Sequence, residues 1–327
     1  RELEITKHIS LRQLDPLALI QLRETGSCEF NLPEELFDLD YPGHYFRRIK
    51  SVSLTLPCVA GPYTTVACTL RLIKNSIRAT TAIGDNGYPR NTDEAQDPRF
   101  VEANIPVKAI ATSSAQNDSG VFELNFRDER YLPFEGAGVI STWRLELPDE
   151  VRPFDYDTIS DVILHLRYTA REGGTRLRDA AMNRIKELIE AGKAAGSTRL
   201  FSVRHEFPAE WHRFKTQTPP PGQRHELALT LKAEHYPFWA QGRLKSVSQI
   251  KLLARSDQEQ TTSIDVFDKA DKSDPIKDTL DDSLGNLLGG KLDKIPMPKQ
   301  PVGSLKLYFD DAKLSDLWIA VTWKSGT

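Results

Sequence analysis

Apolar and polar residues alternate with a period of two through most strongly patterned segments of this chain, the signature of strands buried on one face. In residues 50–57, Val52, Leu54 and Leu56 take one side while Ser51, Ser53 and Thr55 take the other. Val66, Cys68, Leu70 and Leu72 make a second such face. Between these runs, Pro57, Gly61 and Pro62 cannot continue a central ladder, so two consecutive antiparallel strands joined by a turn are predicted. Further strands are predicted over 121–126, 139–147 and 162–168, and again over 200–204, 227–231, 244–253, 305–309 and 317–323. Helices are few. Asp15 before Pro16 reads as an N-cap and first helical position, with Gly26 as terminator. Leu177, Ala181, Ile185 and Leu188 recur at helical spacing before Gly192 and predict a helix over 175–191.

Loops follow from composition. Residues 84–98, and 216–222 with Pro219, Pro220 and Pro221 in a row, read as loops. Residues 265–301, rich in Asp, Lys, Gly and Pro with scattered apolar positions, read as a long mobile loop that includes Gly285, Gly289 and Gly290. The expected fold is mainly β: an antiparallel β-sandwich over 1–170, a linking helix over 171–196, and a second β region over 197–327 holding the mobile loop at about 265–301. A length of 327 residues suits two such domains.

Charge and cysteine content narrow the functional classes. With 43 Lys and Arg against 46 Asp and Glu, the net charge of −3 gives no overall pull toward nucleic acid or an anionic membrane. Cys28, Cys58 and Cys68 are too few to staple a chain of this size, and an odd count leaves one unpaired. Cys68 alternates into an apolar face and reads as an inert buried thiol. No apolar run of about eighteen residues exists, nor a signal-peptide core at the start. The chain opens at Arg1 without a Met, so a fragment is expected, with any targeting signal outside it.

Reactive motifs are sparse. The string His205-Glu206-Phe207-Pro208-Ala209-Glu210-Trp211-His212 resembles a zinc-protease motif superficially, but Ala209 stands where the second His is needed and Pro208 interrupts the required helix. An aromatic-rich strand edge with Phe207, Trp211 and Phe214 on a core is expected instead. His165 falls opposite Val162 and Leu164, facing solvent or an interface. No nucleophile elbow, Walker loop or dinucleotide fingerprint is present. No cofactor, metal or catalytic residue is assigned. Asn117 to Gly120 reads as a tight turn before a strand. Trp143 and Trp323 look like core, whereas Trp211 and Trp239, in Pro-containing segments, are candidates for a sugar-stacking platform. An enzyme would need convergence of residues such as His205, Glu206, His212, Glu234 and His235.

Several ordered segments resemble one family. Asn117-Asp118-Ser119-Gly120 and Leu132-Pro133-Phe134-Glu135-Gly136, Arg47-Arg48-Ile49-Lys50 with Gly61-Pro62-Tyr63, the starting run 2–11 and the closing run 161–168 are similar to the far C-terminal domain of the A component of bacterial Tc insecticidal toxins. The resemblance covers about the first half. It implies a non-enzymatic β-sandwich docking module that binds the β-propeller of the B component, in a parent protein that forms a pentamer and is secreted or displayed on the cell surface. Neither nucleic-acid binding nor direct membrane insertion by this fragment is implied. In that family the chain ends soon after the closing strand, whereas this one continues to residue 327.

Interface anchors are often Tyr and Arg. The loops 41–48 and 61–64 are therefore the candidate partner-binding face: Tyr41, His44, Tyr45, Arg47, Arg48, Gly61, Pro62 and Tyr63. The competing expectation is that Tyr41 and Tyr45 only cover the end of the sandwich core.

Overall fold

The computed structural model describes residues 2–61, 64–93, 96–104, 106–114, 121–125, 133–148, 150–195, 197–258 and 260–325, with their side chains except at 108–114, 121–125, 193–195, 239 and 325. Pro62, Tyr63, the 117–120 turn and the 126–132 run lie outside the described residues. The chain divides into two compact units, Arg1–Leu188 and Ile189–Thr327.

The first unit runs β1 (Glu2–Ser10), α1 (Leu11–Leu14), α2 (Pro16–Thr25), β2 (Ser27–Leu32), α3 (Glu34–Asp38), β3 (His44–Pro57), β4 (Thr65–Arg78), β5 (Phe100–Ala103), β6 (Val107–Ser114), β7 (Val121–Asn125), β8 (Ile140–Glu146), β9 (Ile163–Glu172) and the start of α4 (Gly174–Ala195). One antiparallel sheet has the order β1-β9-β3-β7 and the other β2-β8-β4-β5, with β6 also on β4. Inward residues of both sheets share one core, including Val52, Leu54 and Leu56 of β3, Val66, Cys68, Leu70 and Leu72 of β4, Trp143 of β8, and Leu164, Leu166 and Tyr168 of β9. This is the sandwich the alternation predicts. The cysteines are buried and free, and burial pushes the Cys28 and Cys68 thiols up to about 12. At α2 the capping chemistry works as read: Asp15 Oδ1 accepts from Ala18 N at 3.1 Å, Pro16 opens the helix, and Gly26 closes it at φ 73°.

The second unit holds β10 (Ser197–Ser202), α5 (Val203–Glu206), α6 (Pro208–Thr216), β11 (His225–Leu231), β12 (Leu244–Ser256), β13 (Ile264–Phe267), β14 (Lys277–Leu280), β15 (Asp282–Leu284), β16 (Leu287–Lys291), β17 (Gly303–Phe309) and β18 (Leu314–Ser325). Its sheets have the orders β10-β18-β12-β16-β15 and β11-β17-β13-β14. Two expectations change here. Residues 265–301 are not one mobile loop, because they contribute strands to both sheets and bury Val266, Leu280, Leu288, Leu292 and Ile295 in the core. Their apolar residues are few but sit at inward positions. Gly290 reflects close strand approach, since a Cβ there would lie 2.8 Å from Thr279 O. The segment from His205 to His212 is not a strand edge but the junction of α5 and α6. Pro208 opens α6 where no intrahelical donor is required, and Trp211 and Phe214 are buried.

Helix α4 lies between β9 and β10, and its first turns pack on the first unit. Leu177 and Ala181 are fully buried with Tyr88, and Tyr45, Ile83 and Ala180 pack around them. The approach is closest at the turn before β3. Gly43 has φ 72°, and a Cβ there would lie 2.3 Å from Arg178 Cα, while Gly173 N donates to Gly43 O at 3.1 Å. Gly43→Ala combines a left-handed backbone with overpacking on a helix backbone, and is expected to cost about 2–4 kcal/mol and to speed amide exchange across 175–185. An unchanged unfolding midpoint and exchange pattern would refute the close docking of α4.

Candidate functional site

The turn chosen as a candidate face is built on a buried cluster of charges. Glu34 and Asp38, four residues apart on α3, share one helix face and are both buried. From the end of β4, Arg78 donates Nε and Nη2 to the two carboxylate oxygens of Glu34 at 2.7 and 2.8 Å, and Nη2 also reaches Tyr88 O at 2.7 Å. From β3, Arg47 donates Nη2 to Asp38 Oδ1 at 2.7 Å and to Tyr41 O at 2.9 Å, with Nη1 3.9 Å from Glu34. Tyr88 donates its hydroxyl to Asp38 Oδ2 at 2.7 Å, and Gly43 N donates to Asp38 Oδ1 at 3.3 Å. Two cations meet two anions, and the Arg78 guanidinium lies 4.2 and 4.5 Å from the ring centroids of Tyr88 and Phe100. Burial raises the Glu34 carboxyl above the usual carboxylate range, against the opposing bond from Arg78. Burial, with the nearby carboxylates, likewise raises the Tyr88 phenol.

Arg47 is thus not a surface anchor: it is 3 % exposed. The reason is register. Residues 44–48 are not loop but the start of β3, whose pairing with β9 slips between Tyr45 and Arg48 and again between Ile49 and Ser51. Each bulge adds one residue and reverses which positions face inward. Val52, Leu54 and Leu56 lie inside on one parity, Arg47 and Ile49 on the other. Extending the alternation of 50–57 backwards turns Arg47 outward, and only the bulge carries it to Asp38.

The other candidates divide by place. Tyr41 is 41 % exposed and meets the His44 ring edge-on at 5.6 Å. Tyr45 packs against the α4 cluster. Arg48 donates to Glu2 Oε1 at 3.1 Å, and Arg171 donates to the same oxygen at 2.8 Å. Their guanidiniums lie 4.9 and 4.3 Å from the Phe46 ring, and Phe46 has φ 53° within the bulge. Phe46 and Arg171 complete this rim and were missed. Phe46 adjoins the arginine pair in sequence, but Arg171 arrives only through the pairing of β9 with β3. Gly61 is exposed beyond the far end of β3, roughly 40 Å of strand away at about 3.3 Å per residue. Gly61 and Tyr41 therefore do not share one face.

The rival candidates form no described reactive group. Trp211 is buried, which removes it from any sugar platform, and the side chain of Trp239 lies outside those described. Arg199 brings Glu206 and His235 together, donating Nη2 to Glu206 Oε2 at 2.5 Å and Nε to His235 O at 3.2 Å. Glu206 is committed, however, to Arg199 and to Ser202 N at 2.8 Å, and the His235 ring packs edge-on against Phe207 at 5.1 Å. Among the described residues no three His, Cys, Asp or Glu gather in a way that could hold a metal, and no described helix is long and apolar enough to cross a membrane.

Fold and rim together define a β-sandwich domain with buried ionic contacts turned inward and arginines and aromatics at its edge. Residues 1–170 match the family described as the Tc toxin complex TcA C-terminal TcB-binding domain, and the chain belongs to that family. It is 42 % identical over 181 residues to toxin subunit YenA2 of Yersinia entomophaga, across 54 % of this chain and 13 % of that protein. A solved structure of Yersinia pseudotuberculosis TcaA-TcaB aligns with 52 % of this chain and 10 % of its own at 26 % identity and a TM-score of 0.32. A T=3 Penaeus vannamei nodavirus structure aligns with 99 % of this chain and 90 % of its own at 9 % identity and a TM-score of 0.22. Superpositions that loose carry no weight. The chain spans a small part of the Tc-toxin proteins it matches.

Arg78→Met leaves Glu34 buried without its bidentate partner and is expected to cost about 3–5 kcal/mol in urea unfolding; equal stability would show that the pair contributes nothing. A second ionic contact sets a pH dependence. Arg99 donates to Asp97 through Nη2 at 2.6 Å, and its Nη1 and Nη2 reach Gly87 O and Pro89 O at 2.8 Å each, so residues 87–89 are tied to Asp97. Bonds from Arg99 hold the Asp97 carboxyl well below the usual range. Its stabilising contribution is complete above the unfolded value near pH 4 and is lost as pH falls through the folded one. Wild-type stability is therefore expected to fall more steeply below about pH 4 than that of Asp97→Asn, and parallel pH profiles would contradict this.

Proposed function

We propose that the first unit is the docking domain of a Tc-type A component, which receives the β-propeller of the B component and acts by binding alone. The parent protein is a pentamer, secreted or displayed on the bacterial surface. The observation that carries this reading is the family match across the whole sandwich, residues 1–170. The rim supports it: Tyr41 and Arg48, with Phe46 between Arg48 and Arg171, are residue types enriched at interfaces, and His44 packs against Tyr41 on a turn preorganised by the buried charges beneath it. Such docking needs shape and polarity at the rim and no reactive group.

The test is a titration of this chain against the B component of the same source by interferometry. Arg47 stays intact because it is buried. Saturable binding is expected, weakened about tenfold or more by the Tyr41→Ala, Arg48→Ala double variant. Undiminished binding of that variant, with loss in Val59→Asp at the opposite end of β3, would move the face to the Gly61 to Tyr63 end. No saturable binding by either the folded chain or its pentameric parent would overturn the docking role.

A further inference from the structure

We propose that the loop between β11 and β12 in the second unit is an anchor for an anionic lipid surface, with Phe238 as the inserted side chain. Phe238 is 91 % exposed, the largest value among the described large apolar side chains. Scattered apolar exposure is ordinary, but this residue is held out by its neighbours. On one side Tyr236 is 3 % exposed. Its ring meets Trp323 at 5.0 Å and Phe201 at 5.5 Å, and its hydroxyl donates to Pro301 O at 2.5 Å. On the other side Ala240 is fully buried, with its N–H donating to Pro237 O at 2.8 Å and its carbonyl accepting from Arg243 N at 2.8 Å. Gln241 Nε2 ties the two flanks together through Tyr236 O at 3.2 Å. The backbone is pinned before and after residues 237–239, which fixes the place of the tip that exposes Phe238.

Cations lie at the C-terminal base of the loop and beside the start of β12. Arg243 and Lys245 are exposed. Exposed Lys299 is adjacent, since its carbonyl accepts from Val247 N at 3.1 Å, and exposed Lys324 lies opposite Ser246 in the β12-β18 ladder. The loop's acid, Glu234, is bonded to Lys232 at 3.3 Å. The local charge is therefore positive although the whole chain carries −3. An exposed aromatic tip with cations at the base of its loop suits an anionic bilayer, where a ring enters the interface while ammonium and guanidinium groups remain among phosphates. The anchor is interfacial and involves no membrane-spanning segment. It is independent of the docking reading for the first unit.

The experiment is co-sedimentation of the full chain with vesicles of phosphatidylcholine alone or of roughly seven parts phosphatidylcholine to three parts phosphatidylserine. Binding is expected to the mixed vesicles and to weaken as salt is raised from about 0.1 to about 0.5 M. Phe238→Ser and the double change Arg243→Glu, Lys245→Glu should each lower partitioning about tenfold, while keeping the wild-type melting curve and B-component binding because these side chains are exposed. Failure of the wild type to sediment with anionic vesicles would overturn the proposal, as would wild-type partitioning of a folded Phe238→Ser. Phe238-dependent retention on a protein receptor without vesicle binding would also overturn it and assign the tip to a protein partner.

Discussion

Four buried charges, Glu34 and Asp38 on α3 against Arg47 of β3 and Arg78 of β4, are the constraint on which the shape of the first unit depends. Taking such groups out of water is costly, so the arrangement persists only where nearly every charge meets its opposite at hydrogen-bond distance. That requirement fixes α3 against one strand from each sheet. Through Tyr88 it also fixes the loop that follows β4. An apolar cluster at this place would tolerate sliding, whereas a bidentate arginine has one good geometry.

The same cluster shapes the rim. Arg47 and Asp38 bond the backbone at Tyr41 and Gly43, so the turn that presents the Tyr41 ring is held from beneath. The turn in turn seats α4, whose backbone passes so close to Gly43 that no side chain fits between them. A surface held this way loses little conformational entropy on binding, which favours affinity without additional contacts. The inner half of this segment is committed: Tyr45 packs on the helix cluster, and the exposed Tyr41 ring is left at the outer edge.

Much of the fold was legible in the sequence. Alternation at Val52, Leu54 and Leu56, at Val66 through Leu72, and at Val162 through Tyr168 marks strands that bury those very residues. Asp15, Pro16 and Gly26 bound α2 because capping is a local interaction between neighbours in the chain. Residues 265–301 were misread because strands of three to five residues, rich in charge and glycine, carry little periodic signal. Their placement comes from pairing with β12, β17 and one another. The site was less legible than the fold. Arg47 and Arg48 were recognised as notable, but which one faces inward depends on a bulge, and a bulge exists only relative to a partner strand.

What the sequence by itself determined is the class of architecture: period-two hydrophobicity commits each strand to one buried face, caps commit the helix ends, and the ordered motifs of residues 1–170 place the chain in its family. Tertiary structure alone decided the register shifts that turn Arg47 inward, the pairing that brings Arg171 beside Phe46, the docking of α4 on Gly43, and the separation of Gly61 from Tyr41 by the length of β3. These depend on contacts between residues far apart in the chain, whose geometry is set by strand pairing and burial rather than by local preference.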